Sequence, residues 1–254
     1  MSTSIKIDDA LEIMPDYLKR NDYFRETLKN NISPLKRLDM HKKKGGYFFF
    51  SPFNVDINDY FPVVISFSKK GTFEMDVEKK ETIINESKRP EFKQTKKQVL
   101  AVKEKDGTYS ISVRTISTLT KRYGIFSSEV IRQQTFEKRN YDHNGEIIQA
   151  VVREYDQEYK EVREDSALTW DEALPYTETS TYYLGPTDAI IEKTKSNSDE
   201  KETAYVTFEN GEVVSSQPLV GDAYKECFDK YEEKRFETKA EARAKTKQLK
   251  KVNQ

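Results

Sequence analysis

The sequence predicts an α+β fold, an antiparallel hairpin-rich sheet or partly open barrel with helices at the N- and C-terminal ends. Alternating apolar and polar residues recur in neighbouring pairs of segments, which is typical of half-buried strands. Asp-Gly or Asn-Gly dipeptides separate three of these pairs and favour tight hairpin turns. Helical spacing of apolar residues is concentrated near the two ends of the chain. Because no helical crossover separates the paired strands, we do not expect a parallel sheet.

Composition narrows the class of protein. The 254 residues include 43 Lys and Arg and 44 Asp and Glu, which gives a net charge of −1. The hydrophobic share is only 35 %, but 15 Tyr and 14 Phe supply apolar area for a core. The chain lacks an apolar run of the roughly 20 residues that a membrane span needs, and it opens with no classical signal peptide. We therefore expect a protein of the cytoplasm or of a virion, with no membrane partner.

The first forty residues are predicted to be helical. Leu11, Met14 and Leu18 fall at near-helical spacing, but Pro15 interrupts the pattern. Two short helices are therefore expected in place of one long helix.

The first strands are predicted after this helical region. Residues 47–50 are four consecutive β-prone aromatics, so both faces of that strand are apolar and a core position is favoured. Segments 63–67 and 73–77 then alternate around Lys69-Lys70-Gly71 and predict a hairpin with one buried face.

Residues 79–97 are polar and rich in lysine, and they are predicted to form a connection or an exposed arm. This segment is the candidate boundary inside the chain. It separates residues 1–78, a helical N-terminus with the first strand and hairpin, from residues 98–254, a hairpin-rich region with C-terminal helices. A single continuous domain is the alternative.

Three further hairpins are predicted in residues 98–254. Their type I′ turn dipeptides are Asp106-Gly107, Asn144-Gly145 and Asn210-Gly211. The middle hairpin, 130–141 with 146–155, is polar on both faces, which is typical of a hairpin that projects toward a partner. In the last hairpin Val206, Phe208 and Val213 are expected to share the buried face.

Two helical signals follow these hairpins. Residues 169–172 match a capping box and predict a short helix that contains Trp170, the sole tryptophan. Trp170 either packs this helix or anchors a protein interface, since tryptophan is enriched at interface hot spots. Near the C-terminal end, an apolar stripe predicts a helix docked on a sheet, and a second capping box at 238–241 predicts a new helix. The stripe consists of Tyr224, Cys227, Phe228 and Tyr231.

Two blocks of opposite charge point to a function. Residues 154–172 hold eight acids and two bases, a net charge of −6, whereas residues 234–251 hold eight bases and two acids, a net charge of +6. Complementary patches steer association, and head-to-tail contacts between copies build rings or filaments. Glu154, Asp156 and Glu158 are expected on one side of a strand. The candidate partner-binding residues are Glu154, Asp156, Glu158, Trp170, Lys239, Arg243, Lys247 and Lys250.

The sequence offers few candidate catalytic residues. The two histidines, His41 and His143, lie in polar segments, and Cys227 lies in an apolar helix stripe where a buried inert thiol is expected. Nucleotide, hydrolase, kinase and zinc-protease motifs are absent from the sequence. We assign no catalytic residue, metal or cofactor, although a pairing of Cys227 with a histidine stays open because such partners can be distant in sequence.

These observations predict a non-enzymatic interaction or assembly protein, for example a phage structural or accessory component. Its expected partner is a protein, a second copy of the chain included. The alternative is a nucleic-acid-binding accessory protein that uses the basic C-terminal helix and the lysines at 42–44. An enzyme of an unrecognised family is the third interpretation.

Overall fold

A computed structural model describes residues 2–6, 9, 12–32, 37–43, 46–50, 63–68, 71–84, 90–122, 128–161 and 170–252. Fourteen strands lie within these residues. They are β1 (Ser2–Lys6), β2 (Arg37–Lys43), β3 (Gly46–Phe50), β4 (Val63–Ser68), β5 (Thr72–Ile84), β6 (Pro90–Lys103), β7 (Tyr109–Arg122), β8 (Ser128–Tyr141), β9 (Ile147–Tyr155), β10 (Glu158–Glu161), β11 (Tyr176–Tyr183), β12 (Asp188–Lys195), β13 (Lys201–Glu209) and β14 (Glu212–Pro218). The helices are α1 (Asp16–Lys19), α2 (Asp22–Ile32) and α3 (Gly221–Val252).

Strand order follows the sequence. Hydrogen-bonded neighbours run from β1 to β9 and continue from β11 to β14, while β10 pairs with β8. The registers of the described pairs are antiparallel, as between β4 and β5 or between β12 and β13. The predicted α+β class and the antiparallel, hairpin-rich open sheet with helices toward both ends are therefore confirmed.

The chain forms two compact units that interleave along the sequence. Unit 1 contains residues 1–102, 112–135 and 155–174, and unit 2 contains residues 103–111, 136–154 and 175–254. Strands β6 to β9 contribute residues to both units. The predicted domain boundary within 79–97 stays a prediction.

The core of unit 1 forms where α1 and α2 pack on the sheet. Leu18, Phe24 and Leu28 are almost fully buried, and the Phe24 ring meets the Phe73 ring edge to face at 4.8 Å between centroids. Asn21 caps α2, because its side-chain oxygen accepts the Phe24 backbone N–H at 2.9 Å. Helix α1 begins directly after Pro15, which confirms the predicted interruption at that proline, and residues 20–21 separate α1 from α2.

The prediction that the first forty residues are helical is wrong at both ends of that segment. Residues 2–6 form β1 and residues 37–43 form β2, with the register Ser2↔His41 to Lys6↔Arg37. The two strands pair across about 35 residues of chain. Local hydrophobic spacing carries no information about a partner that distant.

The prediction that residues 79–97 form a connection or an exposed arm is also wrong. Strands β5 and β6 run through it with a continuous register from Thr72↔Val102 to Ile84↔Pro90. Cross-strand polar pairs accompany this register, including a 3.2 Å hydrogen bond from Gln98 Nε2 to Asp76 Oδ1. Polar strands of this kind lack the alternation of apolar residues from which strands are predicted.

The middle hairpin, β8 with β9, does not project as predicted. It lies between β7 and β11 in the strand order, and both strands contribute buried residues. The buried residues of β8 and β9 are Val130, Arg132, Gln134, Tyr141, Ala150 and Tyr155. The many polar residues of this hairpin therefore include several that are buried in the structure.

The three hairpins with a glycine in the turn differ in turn type. Asn210 and Gly211 both have positive φ, 52° and 83°, as a type I′ turn requires. At the other two turns only the glycine, Gly107 or Gly145, has positive φ. The N–H of each of those glycines donates to the carbonyl of the residue three positions earlier. For Gly145 the acceptor is the Asp142 carbonyl, at 3.2 Å. The type I′ prediction holds for the last hairpin and is wrong for the first two.

Three further expectations about the C-terminal part are wrong. Residues 170–175 contain no helix, while Thr169 of the predicted capping box lies outside the described residues. The C-terminal segment forms the single helix α3, which continues through the second predicted capping box at 238–241. In the last hairpin Val206 is buried and Phe208 is half-buried, but Val213, the cross-strand partner of Phe208, is 50 % exposed.

Candidate interaction sites

The acidic residues singled out in the sequence do not share a strand. Strand β9 ends at Tyr155 and β10 begins at Glu158, so the predicted common face of Glu154, Asp156 and Glu158 is wrong. Glu154 and Asp156 are exposed. Glu158 forms a 3.2 Å ion pair with Arg132, and both side chains are largely buried, at 16 % and 9 % exposure. Of the three carboxylates, Glu154 and Asp156 are the ones available to a partner.

Trp170 packs within unit 1. Its ring meets Tyr155 edge to face at 5.2 Å, and the Arg114 guanidinium lies 5.3 Å from its centroid. The next residue is held by the fully buried Gln134, whose amide donates to the Asp171 carbonyl at 3.0 Å and accepts the Asp171 N–H at 2.7 Å. Trp170 is half-buried in this arrangement, and its role as a partner anchor stays a prediction.

The first half of α3 docks on strand β11 of unit 2. The Tyr182 ring lies 5.2 Å from Phe228 and 5.2 Å from Tyr231, both edge to face. Tyr231 is buried, and its burial raises the pKa of its hydroxyl to about 12. The predicted apolar stripe that docks this helix on a sheet is confirmed.

A polar network that the sequence analysis missed fixes the same helix. Glu192 of β12 is buried and accepts hydrogen bonds from Tyr224 at 2.7 Å and from Tyr182 at 3.2 Å. Lys201 forms a 2.6 Å ion pair with the same carboxylate. Burial, together with the Glu192 charge, raises the pKa of both tyrosine hydroxyls. Nothing in the local sequence distinguishes Glu192 from the exposed glutamates of neighbouring strands.

The second half of α3 has a different environment. Phe236 is 69 % exposed, and the other described side chains that follow it are also exposed. These are Glu237, Ala240, Glu241 and Ala244. The four predicted basic contacts follow Phe236 at steps of three or four residues, so they occupy one face of the helix. They are Lys239, Arg243, Lys247 and Lys250.

An open cleft lies at the turns of unit 2. It has a volume of about 440 Å³ and is lined by Tyr183, residues 186–187, Phe208, Glu209 and the turn 210–211. We call it the turn cleft. Tyr183 and Phe208 stack with centroids 6.3 Å apart and planes 26° from parallel. The sequence analysis missed this site because Tyr183 and Phe208 are distant in sequence.

Of the residues considered for catalysis, His41 belongs to β2, and the side chains of His143 and Cys227 are described. His143 is a half-buried residue of the turn between β8 and β9, and Cys227 is half-buried in α3. Among the described residues, no three His, Cys, Asp or Glu side chains are grouped to hold a metal ion. The described helices also include none that is both long and apolar enough to cross a membrane.

Comparison with known proteins assigns no family, because no family model, curated protein or solved structure matches this chain.

Proposed function

We propose that this protein is a non-enzymatic interaction and assembly protein whose binding element is the second half of α3. One observation supports the proposal most strongly, the contrast between the two halves of this helix. The first half is fixed by buried aromatic contacts and by the Glu192 network, whereas the described side chains from Phe236 onward are exposed. A helix that is anchored at one end offers a preorganised surface at low entropic cost to binding.

The partner surface that best fits this helix is acidic. Residues 236–252 span about 25 Å at the helical rise per residue. They contain six Lys or Arg against Glu237 and Glu241. Glu154 and Asp156 are exposed carboxylates of the same chain, so a second copy supplies complementary negative charge. Contact between these two different surfaces is head to tail and builds a ring or a filament.

This function suits a structural or accessory component of a phage, located in the cytoplasm of the host or in the virion. The two blocks of opposite charge support assembly. The proposal of a phage protein rests on the general composition of the chain and not on a particular site. The partner class is therefore the first property to test.

The second candidate function is binding of nucleic acid. Exposed Phe236 begins the helix face on which Lys239, Arg243, Lys247 and Lys250 follow. An exposed ring at one end of a helix face with four basic positions fits base stacking combined with phosphate contacts. Such binding weakens steeply as the salt concentration rises.

A charge exchange distinguishes the two functions. We expect the purified protein to form an oligomer at low salt, and Lys239→Glu/Arg243→Glu to dissociate it. Glu154→Lys/Asp156→Lys is expected to do the same. Combining all four substitutions restores attraction with the signs exchanged, so the oligomer is expected to return. Size exclusion with light scattering measures the mass, and absorbance at 260 and 280 nm detects nucleic acid.

The matched control is Lys225→Glu/Lys230→Glu, which reverses two exposed bases on the anchored half of α3. It changes the net charge equally and is expected to leave the oligomer intact. A protein that stays monomeric at low salt and high concentration would refute assembly. Nucleic acid that is lost in Lys239→Glu/Arg243→Glu and stays lost in the fourfold variant would establish the second function.

A further inference from the structure

We propose that the turn cleft binds an alkylammonium or guanidinium group, the chemistry carried by lysine and arginine side chains and by small quaternary ammonium compounds. This site is separate from the surface of α3 in the proposed function. Four features of unit 2 lead to it, namely the size of the cleft, its aromatic rings, its charge and its fixed geometry.

The size and lining of the cleft fit a small cationic group. Its volume of about 440 Å³ lies in the range of small-ligand sites, roughly 300 to 1,000 Å³. Tyr183 and Phe208 both line it, and their rings form one stacked aromatic pair. Cations bind favourably over the faces of such rings. Burial raises the pKa of the Tyr183 hydroxyl further above physiological pH.

The carboxylate of Glu209 gives the cleft a negative charge. Glu209 lines it and lies directly opposite Glu212 across the last pair of the β13–β14 hairpin. Like charges at directly opposed positions are unfavourable in a sheet. Among the described residues, neither carboxylate has an ion-pair partner. A bound cation would relieve this repulsion, which gives the cleft a preference for positive charge.

One cationic side chain that acts on Tyr183 is paired with a different carboxylate. Arg139 acts electrostatically on the Tyr183 hydroxyl, where it lowers the pKa against the larger effect of burial. Its guanidinium Nε is hydrogen-bonded to Glu137 at 2.8 Å. The Arg139 charge is therefore already compensated, and the negative charge at Glu209 is not.

The backbone holds the cleft in place without a ligand. The Phe208 N–H donates to the Thr187 carbonyl at 2.7 Å, which ties the β11–β12 turn to the end of β13. Within that turn the Leu184 N–H donates to the Asp188 carbonyl at 3.0 Å. The Gly185 N–H donates to the same carbonyl at 3.3 Å, and a Cβ at Gly185 would lie 2.6 Å from the Asp188 side-chain Oδ1. Because a preformed site needs little ordering of its side chains and loops when a ligand binds, binding there carries a small entropic cost.

Titration calorimetry and NMR with two probes test the proposal. One probe is tetramethylammonium chloride, and the other is a peptide with the sequence of residues 236–252 of this chain. We expect saturable binding of at least one probe, with shifts of the Phe208 and Tyr183 resonances. Binding of tetramethylammonium alone indicates a small-molecule ligand, and binding of the peptide alone indicates a protein-borne side chain. Failure of both probes to bind at millimolar concentration would overturn the proposal.

Two variants locate the binding. Phe208→Leu keeps an apolar side chain but removes the ring, and we expect about fivefold weaker binding. Glu209→Gln removes one of the two opposed charges and should weaken binding at least as much. The same substitution should leave the urea midpoint of the free protein unchanged or raise it, because the repulsion from Glu212 is relieved.

Glu202→Gln is the matched control, since Glu202 is an exposed glutamate elsewhere on β13. It should leave both affinity and stability unchanged. Equal affinities of the protein, Phe208→Leu and Glu209→Gln for a bound probe would place binding elsewhere and overturn the proposal. A loss of affinity with retained stability in Glu209→Gln separates recognition from unfolding.

Discussion

Replacing Glu192 with glutamine tests how α3 is fixed to unit 2. The carboxylate accepts hydrogen bonds from Tyr224 at 2.7 Å and from Tyr182 at 3.2 Å, and it pairs with Lys201 at 2.6 Å. Glutamine has nearly the same shape and keeps one acceptor oxygen, but it has no charge. The substitution therefore removes the electrostatic part of three contacts with little change in packing.

The expected loss of stability follows from these contacts. A hydrogen bond to a charged group contributes about 1.5–3 kcal/mol, roughly twice a neutral one, so each tyrosine contact loses about 1 kcal/mol. Lys201 is 42 % exposed, and solvent screening limits its ion pair to about 0.5 kcal/mol. We expect Glu192→Gln to lower the free energy of unfolding by about 2.5 kcal/mol.

Urea unfolding followed by circular dichroism measures this difference. The double-mutant cycle with Tyr224→Phe isolates one contact, and we expect a coupling free energy of about 1 kcal/mol. Glu200→Gln, at an exposed loop position, is the control and should change stability by under about 0.5 kcal/mol. The reasoning is wrong if Glu192→Gln behaves like this control and the cycle is additive, because the carboxylate would then contribute nothing to the docking of α3.

Two further predictions concern other buried polar groups. Burial raises the pKa of Tyr231 to about 12, so its contribution to stability is complete below the unfolded-state pKa near 10 and is lost as the pH rises toward 12. Between neutral pH and about pH 11, the protein should therefore lose roughly 1 kcal/mol more stability than Tyr231→Phe, and an equal loss in urea unfolding would contradict this assignment. Gln134→Met removes both hydrogen bonds to Asp171 and should cost about 2 kcal/mol. Emission of the sole tryptophan, Trp170, should shift to the red in Gln134→Met, and an unchanged spectrum would show that the amide does not hold this segment.

Local sequence patterns were sufficient for several elements of the fold. Alternation in residues 63–67 and 73–77 predicted the β4–β5 hairpin, and the Asn210-Gly211 dipeptide predicted its type I′ turn. Helical spacing of Tyr224, Phe228 and Tyr231 predicted the docked face of α3. In each case the signal is local, because the period of the side chains or the φ preference of the turn residue acts within a few positions.

The candidate sites needed the tertiary structure. The turn cleft joins Tyr183 with Phe208, and the α3 network joins Glu192 with Tyr224, two pairs that are 25 and 32 residues apart. Sequence patterning identified the basic residues of α3, but it could not show that the helix is anchored only in its first half. It also placed Glu158 on a partner surface, whereas the structure pairs its carboxylate with Arg132.

The sequence by itself determined the fold class, the hairpins with apolar alternation and the faces of the helices, since each depends on a local period. The tertiary structure alone decided that residues 2–6 and 37–43 are strands and that the lysine-rich segment 79–97 is mostly strand. It also decided which polar side chains are buried, as with Gln134 and Glu192. The physical reason is that strand pairing and burial of a polar group depend on partners supplied by distant parts of the chain.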